Sequence, residues 1–191
     1  MNIILKVVIF VVILFLILAG FHFYKFNDTR DIFSIIQKNI DSLNGEILYY
    51  NKEPLVIDFI EDQTLEYNIK KYNLKTPLTI EENYTNMTLD SNTYIGHNYE
   101  ICLMRPKKDI TLTLVNPGAK KYFSFKKRGD GFSYFNLDKK NYSNVKSVDI
   151  LVYRHTIFCL PRNWLVSIEK PSDLEIYTTQ NIFTKLFTFF I

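Results

Sequence analysis

The side chains able to act on a substrate are sparse in this chain. Histidine occurs only as His22, His97 and His155, and cysteine only as Cys102 and Cys159. Two thiols cannot build a metal cluster and are too few for a disulfide scaffold. Both sit in apolar, strand-like segments, which predicts buried free thiols. One bridge between neighbouring strands is the alternative, if the domain faces an oxidising compartment. No G-x-S-x-G, phosphate loop or zinc-ligand spacing occurs. A Ser-His-Asp or Cys-His pair assembled in space leaves no local signature, so spacing does not decide it. His22 falls at the edge of a long apolar run, where an interfacial aromatic role is expected.

Cationic side chains are denser. Lys120, Lys121, Lys126, Lys127 and Arg128 gather around one expected hairpin, with Tyr122, Phe123 and Phe125 between them, and Lys107, Lys108, Lys139 and Lys140 on neighbouring turns. Such an edge attracts anionic lipid headgroups, at about 1 kcal/mol per cation near the surface; the plainer reading is a solvated loop set that keeps the domain soluble. With 23 Lys and Arg against 20 Asp and Glu, the net charge of +3 is too small to point to nucleic acid. Arg128-Gly129-Asp130 spells an integrin-recognition tripeptide, but Gly-Asp-Gly suits a turn on backbone grounds alone. Trp164 is the sole tryptophan. It is expected as a core anchor, and with Asn163 it is the candidate lining of a pocket.

These groups must be positioned by what surrounds them, and the dominant element is residues 3–23, IILKVVIFVVILFLILAGFHF. As a helix this run spans roughly 30 Å, the thickness of a bilayer's hydrocarbon core. Lys6 can snorkel to headgroups at one end, while Phe21, Phe23 and Tyr24 suit the other interface. A cleaved signal peptide is the competing reading, but bulky FHFYKF stands where small residues would flank a cleavage site. The expectation is a single-pass membrane protein with its anchor at 1–25. Lys25, Arg30 and Lys38 lean weakly toward a cytosolic domain, whereas the sequons at Asn27, Asn83, Asn86 and Asn141 pull the other way.

After the anchor, Asp28-Thr29 can cap a helix with apolar residues at Ile32, Ile36, Ile40 and Leu43, stopped by Asn44-Gly45. An amphipathic helix or linker is therefore expected over 26–45 and a β-domain over 46–191. Strand-like segments follow at 46–50, 54–60, 64–69, 99–104, 109–115, 122–125, 132–135, 147–153, 156–160, 164–169 and 174–179. Residues 70–98 read mostly as loop. The end, NIFTKLFTFFI, is too apolar for a solvated tail and is expected to dock as a short helix or dip into the membrane. Many short strands with turn punctuation predict a mainly β fold, a jelly roll or sandwich.

Three segments carry a resemblance. Glu53-Pro54-Leu55-Val56-Ile57 resembles the strand that opens the roll of cupin_8 and Jumonji-type double-stranded β-helix proteins. ICLMRPKKDITLTLVNP resembles their hairpin, in which a strand turns at "G-x-K" and returns ending in "L-x-x-P". TIFCLPRNWLVSIE, followed by LEIYTTQN, is similar to their "P-x-x-W" strand and the one after it. The resemblance spans roughly residues 47–185, and membrane-tethered versions of the domain in large DNA viruses are similar. It implies a cupin-like jelly roll. Active members of the family are Fe(II)- and 2-oxoglutarate-dependent oxygenases, whose iron is held by His-x-Asp/Glu and a later His. Here Val166 stands at the later histidine, and Asn92-Thr93-Tyr94-Ile95 falls where the first pair belongs. His97, Glu100 and His155 are the only nearby candidates. His97 and Glu100 are three apart, so a regular strand would point them to opposite sides.

The resulting expectation is a membrane protein displaying a cupin-like domain with no metal or other cofactor, in a structural or binding role. Its partners would be the bilayer through residues 3–23 and anionic headgroups or another protein, with no nucleic acid. An oxygenase with displaced ligands and an unrelated β-sandwich adhesion or receptor-like module are the alternatives.

Overall fold

The computed structural model describes residues 3–27, 34–58, 63–76, 79–91, 93–129 and 131–188. Helix α1 (Ile3–Asn27) is continuous through the apolar run, and its stretch Ile3–Tyr24 is long and apolar enough to cross a membrane. Its apolar side chains are exposed along most of its length.

The β-domain pairs β1 (Ile36–Asn39), β2 (Leu55–Asp58), β10 (Thr156–Cys159), β5 (Ile101–Pro106), β12 (Ser172–Gln180) and β3 (Glu81–Leu89), in that order, in one sheet. The second sheet runs β7 (Phe123–Gly129), β8 (Phe132–Leu137), β4 (Tyr94–His97), β11 (Leu165–Ile168), β6 (Ile110–Val115) and β9 (Ser147–Val152). Within these, β3-β12-β5-β10 faces β4-β11-β6-β9, and the chain passes between the two sheets at nearly every step. That interleaving is the jelly roll, so the fold is mainly β and cupin-like, and an immunoglobulin-type sandwich is set aside.

The core has distinct compartments. Between the sheets lie Ile95, Met104, Leu112, Leu114, Phe132, Phe158, Trp164, Val166 and Ile176. On the outer face of the first sheet, Leu55, Ile57, Leu103, Ile157 and Tyr177 are covered by Leu48 of α2 (Gly45–Tyr50) and by Leu65 and Ile69 of α3 (Leu65–Lys71). Gly45 is a close-approach position: a Cβ there would lie 1.5 Å from the Lys75 carbonyl oxygen. Cys102 and Cys159 are buried and free on adjacent strands, but one belongs to the inner compartment and the other to the outer. They therefore point through opposite faces of one sheet, and burial pushes Cys159 up to about 12 and Cys102 well above the ordinary thiol range.

Several expected elements differ. In place of the amphipathic helix, residues 36–39 form β1, parallel to β2, and residues 40–42 a 3-10 turn; Ile32 and the Asp28-Thr29 cap lie outside the described residues. Ile36 and Ile40 are four apart, a spacing that fits one face of a strand as well as one face of a helix, and pairing with β2 decides it. The first sheet thus begins at residue 36, ahead of the boundary expected at 46. Asn44 starts a helix instead of stopping one, its side chain accepting from Ile47 N at 2.8 Å. Residues 64–69 are likewise helical, with Thr64 accepting from Tyr67 N and Glu66 paired to Lys70. The polar stretch 70–98 contains β3 and β4. β3 is an edge strand with a largely exposed face, so its composition is that of a loop although it pairs with β12 along its whole length. β2 flanks the roll and does not open it; β3 does. Finally, β5 and β6 are not a hairpin, because the 107–109 turn carries the chain from one sheet to the other.

Candidate functional site

The place to test for a metal centre is the β4–β11 pair, where the resemblance puts its ligands. Val166 is directly opposite Ile95 across this pair, and both are fully buried among Trp164, Leu114 and Phe132. An isopropyl group facing a sec-butyl group offers no lone pair, so this position does not fit a metal ion. Asn92 lies outside the described residues.

The remaining candidates are dispersed. His97, on β4, is fully enclosed, and its Nε2–H donates to the Leu160 carbonyl at 2.8 Å. Desolvation lowers it to about 4, with Arg162 pushing the same way and the Leu160 carbonyl opposing. Glu100 is buried elsewhere, accepting from Asn181 Nδ2 at 2.7 Å and Thr76 Oγ1 at 3.3 Å. His155 is exposed in the turn before β10, with Arg154 Nε at 3.0 Å from its Nε2. No group of three or more metal-ligating side chains converges among the described residues.

Trp164 is only 2% exposed, and its indole N–H donates to the Lys52 carbonyl at 3.3 Å. The ring is part of the core and offers no open face for stacking a ligand. Asn163 beside it takes a left-handed conformation, φ 71°, in the turn between β10 and β11.

Of the expected basic residues, Lys120 and Lys121 lie in the 3-10 turn before β7 and Lys126 lies on β7. Lys120 sits 5.2 Å from the Phe135 ring and Lys121 5.2 Å from the Tyr122 ring, while Lys126 is exposed. Burial, and Arg162 nearby, depress Lys120. Lys127 and Arg128 extend the strand toward Gly129, opposite Tyr134 and Ser133. At the tip, Gly131 has φ +76°, and a Cβ there would meet the Tyr99 hydroxyl at 1.9 Å, so the hairpin end is pinned against Tyr99.

A polar constellation that sequence spacing does not reveal lies next to that tip. Asn181 begins helix α4 (Ile182–Thr188), and its Oδ1 accepts from Thr184 N at 2.8 Å. Through its Nδ2 the same side chain holds Glu100. Burial, then the Glu100 carboxylate, pushes the Tyr49 phenol above its ordinary range, and the Tyr49 hydroxyl is 2.8 Å from His22 Nε2. His22 is 5% exposed and stacks on Phe183 of α4, with ring centroids 4.5 Å apart. The end of α1 is thereby seated on α2 and α4. Asn181→Ala is expected to lower stability by about 2–3 kcal/mol, combining the loss of a helix cap with the loss of a hydrogen bond to a buried carboxylate. Denaturant titration of the full chain in detergent checks this.

Tyr84 and Tyr177 form a second aromatic–polar group on the outer face of the first sheet, their rings 4.8 Å apart. Burial pushes Tyr84 up to about 12, with Glu82 and Glu66 adding to it. A cleft of about 200 Å³ between α3 and β3 is lined by Thr64, Tyr84, Asn86 and Glu175. Glu175 is already engaged by Leu65 N and Arg105.

No family model matches this chain, and no curated protein matches it. Among solved structures it is similar to hydroquinone 1,2-dioxygenase from Sphingomonas sp. TTNP3, at 12% identity over 65% of this chain and 81% of that one, TM-score 0.32. It is also similar to dTDP-4-dehydrorhamnose 3,5-epimerase from Elizabethkingia anophelis NUHP1, at 9% identity over 68% and 69%, TM-score 0.31. The Bacillus anthracis epimerase of the same name aligns at 8% identity over 70% and 74%, TM-score 0.32. Likeness at this level carries no argument about activity, and the fold stands on the strand order itself.

Proposed function

We propose that this chain is a single-pass membrane protein, anchored by α1, that holds a metal-free cupin-like domain at the membrane surface in a structural or binding role. The observation that carries the reading is the Val166–Ile95 pair, apolar where the resembled oxygenases would need ligands. The exposed apolar length of α1 supports the anchor, a property that a signal sequence near an N-terminus shares. Resemblance to membrane-tethered viral versions of the domain agrees with this role. The basic hairpin is the surface offered to a partner. Its tip, at Gly131, meets Tyr99, next to Glu100, while Lys120 and Lys121 lie before Phe123, at the far end of β7 from that tip. Anionic headgroups fit it by charge.

The test uses the full chain in lipid nanodiscs, titrated anaerobically with Fe(II) with and without 2-oxoglutarate. The expected result is no stoichiometric iron, together with retention of the chain in membranes under alkaline extraction. One iron per chain, lost on His97→Ala or His155→Ala, would overturn the metal-free reading. Release on extraction would overturn the anchor.

A further inference from the structure

If α1 spans the bilayer, the depth of anything packed along it is fixed. Phe15 and His22 lie seven positions apart, two helical turns, so they share one face of α1 about 10 Å apart along its axis. Phe183 of α4 contacts both, its ring centroid 5.6 Å from Phe15 and 4.5 Å from His22. Ala19, between them on the same face, is half-buried while its neighbours are exposed. Tyr24, beyond His22, is the residue suited to the headgroup boundary. Phe183 therefore sits on the hydrocarbon side of that boundary.

The rest of α4 is arranged to match. Its polar side is held by the β-domain: Asn181 and Thr184 are fully buried, and Lys185 reaches Glu81 at 2.5 Å. Ile182, on the other side, is 49% exposed with no protein covering it. In sequence, Lys185 is the last charged side chain, and the residues after it are Leu186-Phe187-Thr188-Phe189-Phe190-Ile191. A short helix with one polar face fixed to the domain and an apolar remainder beside a spanning helix matches the interfacial amphipathic pattern.

We propose that α4 is a second membrane contact, inserted into the same leaflet alongside the end of α1, so that α1 and α4 together hold the β-domain against the bilayer. This rests on the reading of α1 as a spanning helix. The occupant of the exposed α4 face is lipid acyl chain.

The experiment is spin labelling of the full chain in nanodiscs. A nitroxide is attached at Ile182→Cys, at Leu14→Cys within α1, and at Leu151→Cys on β9, which is exposed. The native thiols are buried and do not compete. Collision rates with oxygen and with a water-soluble nickel chelate report depth. The expected result is that the label at 182 matches the label at 14, oxygen-accessible and nickel-protected, while the label at 151 is aqueous. A lipid-exposed label at 14 with an aqueous label at 182 overturns the proposal and leaves the anchor intact. Aqueous labels at both 14 and 182 overturn the spanning reading of α1 and the α4 proposal with it. An Ile182→Trp variant gives an independent reading, because Trp164 is enclosed in the roll. Brominated lipids should quench the added fluorescence, and no added quenching relative to the unaltered chain overturns the proposal.

Discussion

Trp164→Ala is expected to destabilise the full chain by about 3–5 kcal/mol, a large share of the roughly 5–15 kcal/mol that holds a domain folded. The size follows from placement. The indole is enclosed between the sheets with Leu160, Val166 and Phe158 in the same compartment, and removing it leaves a cavity that rigid β-strands cannot close. The indole hydrogen bond to the Lys52 carbonyl is lost with the ring. Denaturant unfolding in detergent, followed by far-ultraviolet circular dichroism, measures this without the lost fluorophore. The outcome bears on function: a loss below about 1 kcal/mol, the scale of a surface change, would mean that the ring lines an open site instead of filling a core. That result would return a ligand pocket to the domain's interior.

The reason this interior was partly legible in sequence is alternation. Ile110, Leu112 and Leu114 against Thr111 and Thr113 predicted β6 because one face is buried and the other is not. Val166 announced an apolar interior at the position a ligand would take. Its partner Ile95 did not, since register across β4 and β11 is set by the roll and not by either strand's own pattern. The missed elements failed for related reasons. Ile36 and Ile40 satisfy two periods at once; α2 and α3 are too short for a helical period to emerge from β-rich neighbours. β3 hides because an edge strand needs few apolar residues.

The contacts that seat α1 on α2 and α4 had no signature in the sequence. Asn181 and Glu100 are 81 residues apart and Thr76 is 24 from Glu100. Neither Asn nor Glu is unusual locally; each becomes notable only when the β3–β12–β5 register brings their strand ends together. Likewise His22 read as an interfacial aromatic, and the structure adds its bond to Tyr49 and its stacking on Phe183, contacts that join residues from three helices.

Acidification is expected to destabilise the domain through His97, by an amount on the order of 3 kcal/mol, over a window the burial of this ring defines. In the folded chain His97 is held down at about 4, chiefly because its site excludes water. Unfolded, it titrates near 6.5. Between these values the unfolded chain binds a proton that the folded chain refuses, so stability rises with pH across the window and falls as pH drops from about 6.5 toward about 4. Above the window both states are neutral at this site, and below it both are charged, so the dependence is confined there. His97→Gln retains an amide N–H able to reach the Leu160 carbonyl but removes the titration. Its stability difference from the unaltered chain, measured by denaturant midpoints from about pH 7 to about pH 4, should therefore change with pH by that amount. Every other ionisable group is common to the two proteins and cancels in the difference. A difference that stays flat across the window would show that the ring reaches water while the domain is folded, and with it that the β4 end of the roll is open.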